Sequence, residues 1–403
     1  MMFKNYSEKA LNASRALAIL AVTAAPISTA VASVASVLLI LVWLGSGRAI
    51  TTLSMSWQHP LGKIIVVFYG WLLIGAFYAD TEWPAKLATL SSWQKLAFTF
   101  LLLGLFQSGL WKKRFLYVFV GVMSLAALIS LGYWLADVPF IAKRGGPGIL
   151  MSNHSAQSMA FIAAFLGGLM LLKDNPPKSL HLLLWLGLVL LIFNVFFIST
   201  ARSAYIAMPV AVTFALVSIY GRRKLPHIVA ACSLGFALVI GASGTIHKRF
   251  DQAVTEAGQA STDTSSPETP VGARVVFYKT ALELVKENPV FGFGTSGFKS
   301  AYLAHLEQDH PSWAETSDPH NQYLFVWVEN GLIGLLIFLA YIVIGMRAGL
   351  AAPPYGLAAA SFLLAIAVSS LFNSHFKTFV EGNLLAFFLA ILVSKASDRP
   401  GPA

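Results

Sequence analysis

The sequence predicts an all-α polytopic membrane protein with about twelve transmembrane helices and one large, partly helical loop outside the cytoplasm. Of its 403 residues 57% are hydrophobic and only 11% charged. Soluble domains carry about 25% charged residues, so this chain cannot coat a water-exposed surface of its size. A mean hydropathy of +0.69 makes lipid its main solvent. Apolar runs of spanning length also recur along the chain, separated by short basic turns.

The runs lie near 14–26, 29–45, 61–79, 94–110, 113–136, 154–172, 179–198, 202–220, 226–243, 322–346, 354–372 and 382–395. A span needs about 20 mostly apolar residues, somewhat fewer in the short ones, and these runs are read as spans on that criterion. The first two flank Pro26 and also admit reading as one broken helix. Lys4, Lys9 and Arg15 ahead of the apolar run Ala16 to Ala25 mimic a secretory leader. Hydrophobicity resumes from Val31 to Leu44, which fits a first pair of spans better. The single cysteine, Cys232, sits in an apolar stretch, so no intrachain disulfide is available and packing is its expected role.

The net charge is +10, from 28 Lys+Arg against 18 Asp+Glu. In a soluble protein that excess would suggest nucleic acid. Here it gathers in short loops: Trp111 to Arg114, Lys173 with Lys178, Gly221 to Lys224, Arg347, and the tail with Lys395 and Arg399. With the N-terminus inside, all of these fall on one side, which the positive-inside rule makes cytoplasmic. Lys143 and Arg144 then lie outside, against the trend. The chain thus divides into N-terminal spans over 1–243 (about nine), a large outer loop over 244–321, and C-terminal spans over 322–403 (about three). No internal repeat is visible.

The outer loop opens with Ala257 to Pro270, rich in Ser, Thr, Asp and Pro, which predicts a mobile segment. Ala273 to Glu287 has apolar residues at helical spacing, and Asn288-Pro289 ends that helix. Gly292, Gly294 and Gly297 follow as tight turns.

Three groups of residues collect on the outer face. In Ser199-Thr200-Ala201-Arg202-Ser203, Ser199 or Thr200 can cap the helix that starts there, leaving Arg202 in its first turn. A helix N-terminus beside a guanidinium suits an anion; a snorkelling interfacial arginine is the structural alternative. Arg274 and Tyr278 lie four apart on one helix face and can address one ligand, or Arg274 simply faces solvent. In Asp318-Pro319-His320-Asn321, Asp is a good N-cap and Pro a good first helical residue. His320 then falls in the first turn, where the helix dipole and nearby arginines favour the neutral imidazole. A structural histidine at the membrane boundary is the bland reading. The outer acids Asp251, Glu256, Asp263, Glu307, Asp309 and Glu315 form no Asp-x-Asp pair or His-rich ligand set. A phosphate leaving group handled here would need arginines for its charge.

At this point the chain resembles the bacterial O-antigen ligases, within a superfamily shared with O-antigen polymerases and protein O-oligosaccharyltransferases. The resemblance rests on His320-Asn321, nine residues from Gln322 to Asn330, then Gly331-Leu332-Ile333-Gly334. Arg202 in its Ser/Thr-Ala-Arg-Ser context, Arg274 early in the loop helix, and the Pro289 to Phe298 stretch also look familial. By motif the likeness covers mainly Ser199 to Gly334.

What the resemblance implies is transfer of O-antigen from undecaprenyl pyrophosphate to a sugar hydroxyl of lipid A–core. By the same resemblance the reaction would take place at the periplasmic face of a Gram-negative inner membrane, with no metal, nucleotide or other cofactor expected. His320 would be the general base, with Arg202 and Arg274 on the pyrophosphate, and the anomeric centre would invert. Asn321, Tyr278, Lys143 and Arg144 are the expected substrate-binding residues, the last two on donor or acceptor phosphates or on lipid headgroups. Nine residues after His320, Glu329 falls on the opposite helix face, away from the histidine. Gly331 and Gly334 are expected to permit close packing.

An O-antigen polymerase is the nearest alternative, and a protein O-oligosaccharyltransferase a weaker one. A transporter or flippase fits less well, because the polar outliers gather at the outer boundary rather than at midplane on repeated halves. A purely structural membrane protein has no use for this convergence.

Overall fold

The computed structural model describes residues 2–140, 145–262, 270–309 and 315–394. Helices dominate: α1 Met2–Ala24, α2 Thr29–Gly45, α3 Ala49–Gln58, α4 Pro60–Tyr78, α5 Trp83–Ser92, α6 Lys95–Leu105, α7 Gly109–Leu135, α8 His154–Lys173 and α9 Lys178–Phe193. A π turn, Asn194–Ile198, extends α9. Then come α10 Arg202–Tyr220, α11 Leu225–Ala242, α12 Gly244–Thr262, α13 Pro270–Glu287, α14 Gly297–Asp309, α15 Gln322–Leu350, α16 Tyr355–Ser369 and α17 Phe379–Val393.

All twelve apolar segments correspond to helices, but fewer qualify as full spans than the hydropathy suggests. Among the described residues seven helices are long and apolar enough to cross a bilayer, or eight if α2 and α3, bent by 107° at their junction, count as one. α16 and α17 are apolar but shorter. At about 1.5 Å per residue, the 11 residues of α6 cannot cross hydrocarbon roughly 30 Å thick. α1 carries Lys4, Glu8, Lys9 and Arg15. It is a helix of its own, separated from α2 by a turn at Ala25–Ile27 rather than fused into one broken rod. Four helices, α3, α5, α12 and α14, were not expected. α12 takes in Ala257 to Thr262, part of the stretch anticipated as mobile, and the rest of that stretch lies outside the described residues.

α8 is the most enclosed of the spans. Its small residues allow this: a Cβ on Gly168 would lie 2.6 Å from a Leu188 methyl carbon, and one on Gly167 3.0 Å from a Leu116 methyl carbon. α15 packs on α4 and α16, and α10 on α16. α11 has no buried residue and rides on the periphery.

The long α15 is interrupted at Gly331, whose φ of +66° and ψ of −174° lie where only glycine is at ease. A break in a membrane helix strands main-chain polar groups, and these must be satisfied. The segment after α13, together with α4, supplies the partners. Leu332 N–H donates to the Pro289 carbonyl at 2.9 Å, and Phe293 N–H to the Val328 carbonyl at 2.9 Å. Trp71 Nε1 donates to the Asn330 carbonyl at 3.0 Å, and Tyr78 Oη to the Phe291 carbonyl at 2.6 Å. The Gly-x-x-Gly motif and the Pro289 to Phe298 stretch are therefore two halves of one joint. Gly331 serves approach of a loop backbone more than helix-to-helix packing.

A Cβ on Gly331 would sit 2.0 Å from the Val290 oxygen. Gly331→Ala is therefore expected to destabilise the protein by at least about 1–3 kcal/mol from backbone strain alone. Detergent unfolding midpoints check this. Gly70→Ala, with nothing within 4 Å of the added carbon, should change nothing, and equal midpoints for the two variants would refute the joint.

Candidate active site

A cavity of about 540 Å³ opens at one end of the bundle, lined by residues from five stretches of chain that include Arg202, Arg274 and His320. The three residues singled out from sequence thus share one cleft. Lys143 and Arg144 lie outside the described residues.

The Arg202 wall rests on a buried polar network. Ser199 is fully buried; its hydroxyl bonds the Ser158 hydroxyl at 2.7 Å and the His154 carbonyl at 3.2 Å. Tyr205 Oη donates to the Ser199 carbonyl at 2.6 Å. Thr200 N–H donates to His154 Nδ1 at 3.1 Å, so His154 is held with Nδ1 as acceptor, its Nε2 2.9 Å from the Gly145 carbonyl. Gln157, from α8, donates to Asn194 Oδ1 at 2.9 Å inside the π turn. Neither Ser199 nor Thr200 caps α10, contrary to expectation. The N-cap is Ala201, with no side-chain cap, because the Ser199 hydroxyl is already committed to α8. α10 therefore starts at the cavity with no cap from its N-cap residue Ala201, and with Arg202 as its first residue. π turns recur beside functional sites, and this one sets the geometry of 199–203.

The His320 wall is built by local turns and by the last loop, which the sequence reading overlooked. His320 precedes α15 rather than lying in its first turn, and the cap is Asn321, whose Oδ1 accepts from Tyr323 N–H at 3.0 Å and Leu324 N–H at 3.2 Å. Asp318, expected as the cap, turns back instead. Its Oδ1 accepts from His320 N–H at 2.7 Å and from the Ser374 hydroxyl at 2.7 Å, and its Oδ2 pairs with Lys377 Nζ at 3.0 Å. These bonds hold His320 at φ +54°, unusual for a residue with a side chain. Tyr278 Oη donates to the His320 carbonyl at 3.2 Å and the Leu371 carbonyl at 2.9 Å. The bonds made by Tyr278 and Asn321 thus brace the chain on either side of His320. Half-burial pushes the His320 imidazole pKa down, and Arg274 and Lys377 add to that, while Asp318 opposes it. The neutral base expected from the helix dipole arises here mainly from desolvation.

The same cleft is lined by Asn373, Ser374, His375, Thr378 and Glu381. His375 is nearly buried, its Nε2 2.6 Å from the Ser369 hydroxyl and its Nδ1 3.5 Å from Glu381 Oε1. Thr378 Oγ1 donates to Glu381 Oε2 at 2.8 Å. The signal for this wall was present as a polar run between two apolar segments, with Lys377 on the outer side. Glu329 stays away from the cavity. The main-chain N–H groups of Ser296 and Phe298 reach its carboxylate at the start of α14.

The cleft can neutralise an anion with two guanidinium groups and offer an uncharged imidazole to a hydroxyl, while the cavity acids Asp318 and Glu381 are occupied by protein donors. Residues 186–339, which hold all three of Arg202, Arg274 and His320, match the family model described as O-antigen ligase. The chain is similar to an uncharacterized protein of Haemophilus influenzae, 29% identical over 153 residues, covering 36% of this chain and 38% of that protein. It is also similar to an O-antigen ligase of Salmonella typhimurium, 35% identical over 66 residues, covering 15% of this chain and 16% of that protein. The aligned stretches thus span well under half of either relative.

Proposed function

We propose, from the premise that the match over 186–339 places this chain in the O-antigen ligase superfamily, that it moves O-antigen from undecaprenyl pyrophosphate to lipid A–core at the periplasmic face of the inner membrane. The coarser reading, a membrane glycosyltransferase of the ligase and polymerase type, is supported by that match and by the Salmonella relative. The observation that carries the finer one is that Arg202, Arg274 and His320 line a single cleft.

The helices that build the cleft support this orientation. α8, α10 and α15 begin at the cleft, and their far ends lead to Lys173, to Arg222–Lys224 and to Arg347. The positive-inside rule assigns those far ends to the cytoplasm.

In the proposed reaction an acceptor sugar oxygen attacks the anomeric carbon of the donor. The glycosidic carbon–oxygen bond to pyrophosphate breaks, and its electron pair leaves with the pyrophosphate. His320 takes the hydroxyl proton, and the two arginines neutralise the departing charge with paired N–H donors. Single displacement inverts the centre. With Asp318 and Glu381 engaged by Lys377, Ser374, His375 and Thr378, the arginines carry the charge neutralisation and the proposal needs no metal.

The test is reconstitution of the purified chain in vesicles with lipid-linked donor and lipid A–core. Product on the core is the expected result. Lengthening of the donor glycan alone would mark a polymerase and overturn the acceptor assignment.

A further inference from the structure

A second cavity, of about 920 Å³, opens at the opposite end of the bundle between the starts of α4, α7 and α16 and the ends of α15 and α17. The site cleft lies roughly 40 Å away along α15, judged from 29 helical residues at about 1.5 Å each.

Its walls are mostly aliphatic, with Ile344, Ala348, Ala352, Pro353 and Val393 among them, and among the described residues its charged lining is Lys112 and Arg347, with no carboxylate. Lys112 is 4% exposed, a costly place for an ammonium. Its Nζ donates to the Leu392 carbonyl at 3.2 Å and to the Ser394 carbonyl, and a lysine has three protons to give. Arg347 is exposed in the last turn of α15. α7 starts at the cavity, at Gly109, with no side-chain cap. Asp174, which accepts from the lining Tyr355 hydroxyl at 3.0 Å, is balanced by Lys113 Nζ at 2.5 Å. Among the described residues the cavity therefore carries positive charge that no lining carboxylate balances, beside an apolar wall and at the end where the basic loops collect.

We propose that this cavity seats the phosphate headgroup of an anionic glycerophospholipid of the cytoplasmic leaflet, with an acyl chain along the aliphatic wall. Arg347 meets the phosphate at the rim with paired N–H donors, and Lys112 meets it from inside. A zwitterionic lipid brings its own cation to the same place and gains less. Basic pockets between membrane helices on this side suit such headgroups.

The full chain, purified in neutral detergent, is titrated with phosphatidylglycerol and separately with phosphatidylcholine, and retained lipid is read by native mass spectrometry. One phosphatidylglycerol retained in preference to phosphatidylcholine is expected. Excess water-soluble glycerol phosphate should not displace it. Arg347→Ala should weaken retention about fivefold, the worth of one basic residue at such a surface, and Arg347→Glu more. Arg223→Glu, in the exposed basic loop at the same end, should leave retention unchanged. Unfolding midpoints verify that each variant is folded. Equal retention of the two lipids, equal effects of Arg347→Glu and Arg223→Glu, or displacement by glycerol phosphate would overturn the proposal. So would retention that appears only after residues 396–403 are deleted, which would make the chain's own tail the occupant.

Discussion

Replacing His320 by alanine is expected to slow glycan transfer by about 10²–10⁴-fold, the usual worth of a positioned general base. The protein should still insert and fold, because the bonds at this turn run through the His320 main chain, to Asp318 and Tyr278, and not through the ring. The pH profile separates a base from a structural imidazole. A base works only when neutral, so the rate falls as pH drops through its pKa. Burial and the Arg274 charge hold that pKa below the ordinary 6.5. The acid limb of kcat/KM in the wild type should therefore lie below pH 6.5, and it should vanish in His320→Ala. A variant with near-normal rates and an unchanged acid limb would remove His320 from the chemistry.

Arg202→Ala and Arg274→Ala are expected to cost a comparable amount, about 10²–10³-fold each, as for other groups that stabilise charge built up in a transition state. In the proposed reaction the pyrophosphate leaves easily only when its growing charge is matched, and Asp318 and Glu381, on the same cleft, supply none of that. Lysine at either position keeps the charge and loses the paired donors, so activity between wild type and alanine is expected. Single-turnover transfer, with donor binding measured separately, checks both. Near-normal turnover in Arg202→Ala and Arg274→Ala together would refute the assignment of this cleft.

The helices were legible because lipid imposes apolar runs, and twelve such runs fall on helices. How many cross the membrane was not, since α6 is apolar but too short and α1 is long but charged. Arg202 and His320 stood out as ionisable groups at span boundaries, and Arg274 as one early in the loop helix, in a chain that otherwise avoids charge. The local geometry was read less well, for a definite reason. Ser199, Thr200 and Asp318 all have good capping chemistry, yet none caps α10 or α15. Their side chains or neighbours are claimed by Ser158, His154, Ser374 and Lys377 from distant parts of the chain. Tertiary competition of this kind leaves no trace in local sequence. The wall from Asn373 to Glu381 was missed because its polar residues were spread between two spans rather than gathered in a motif.

The joint at Gly331 has a practical consequence for genetics. A collection of inactive variants would gather Gly331 and Gly292 beside His320, since losing that seam unseats α13, which carries Arg274 and Tyr278, from its grip on α15. Inactivity there reports broken carpentry. Only variants that reach the membrane in normal amounts and melt normally can be counted as chemical lesions.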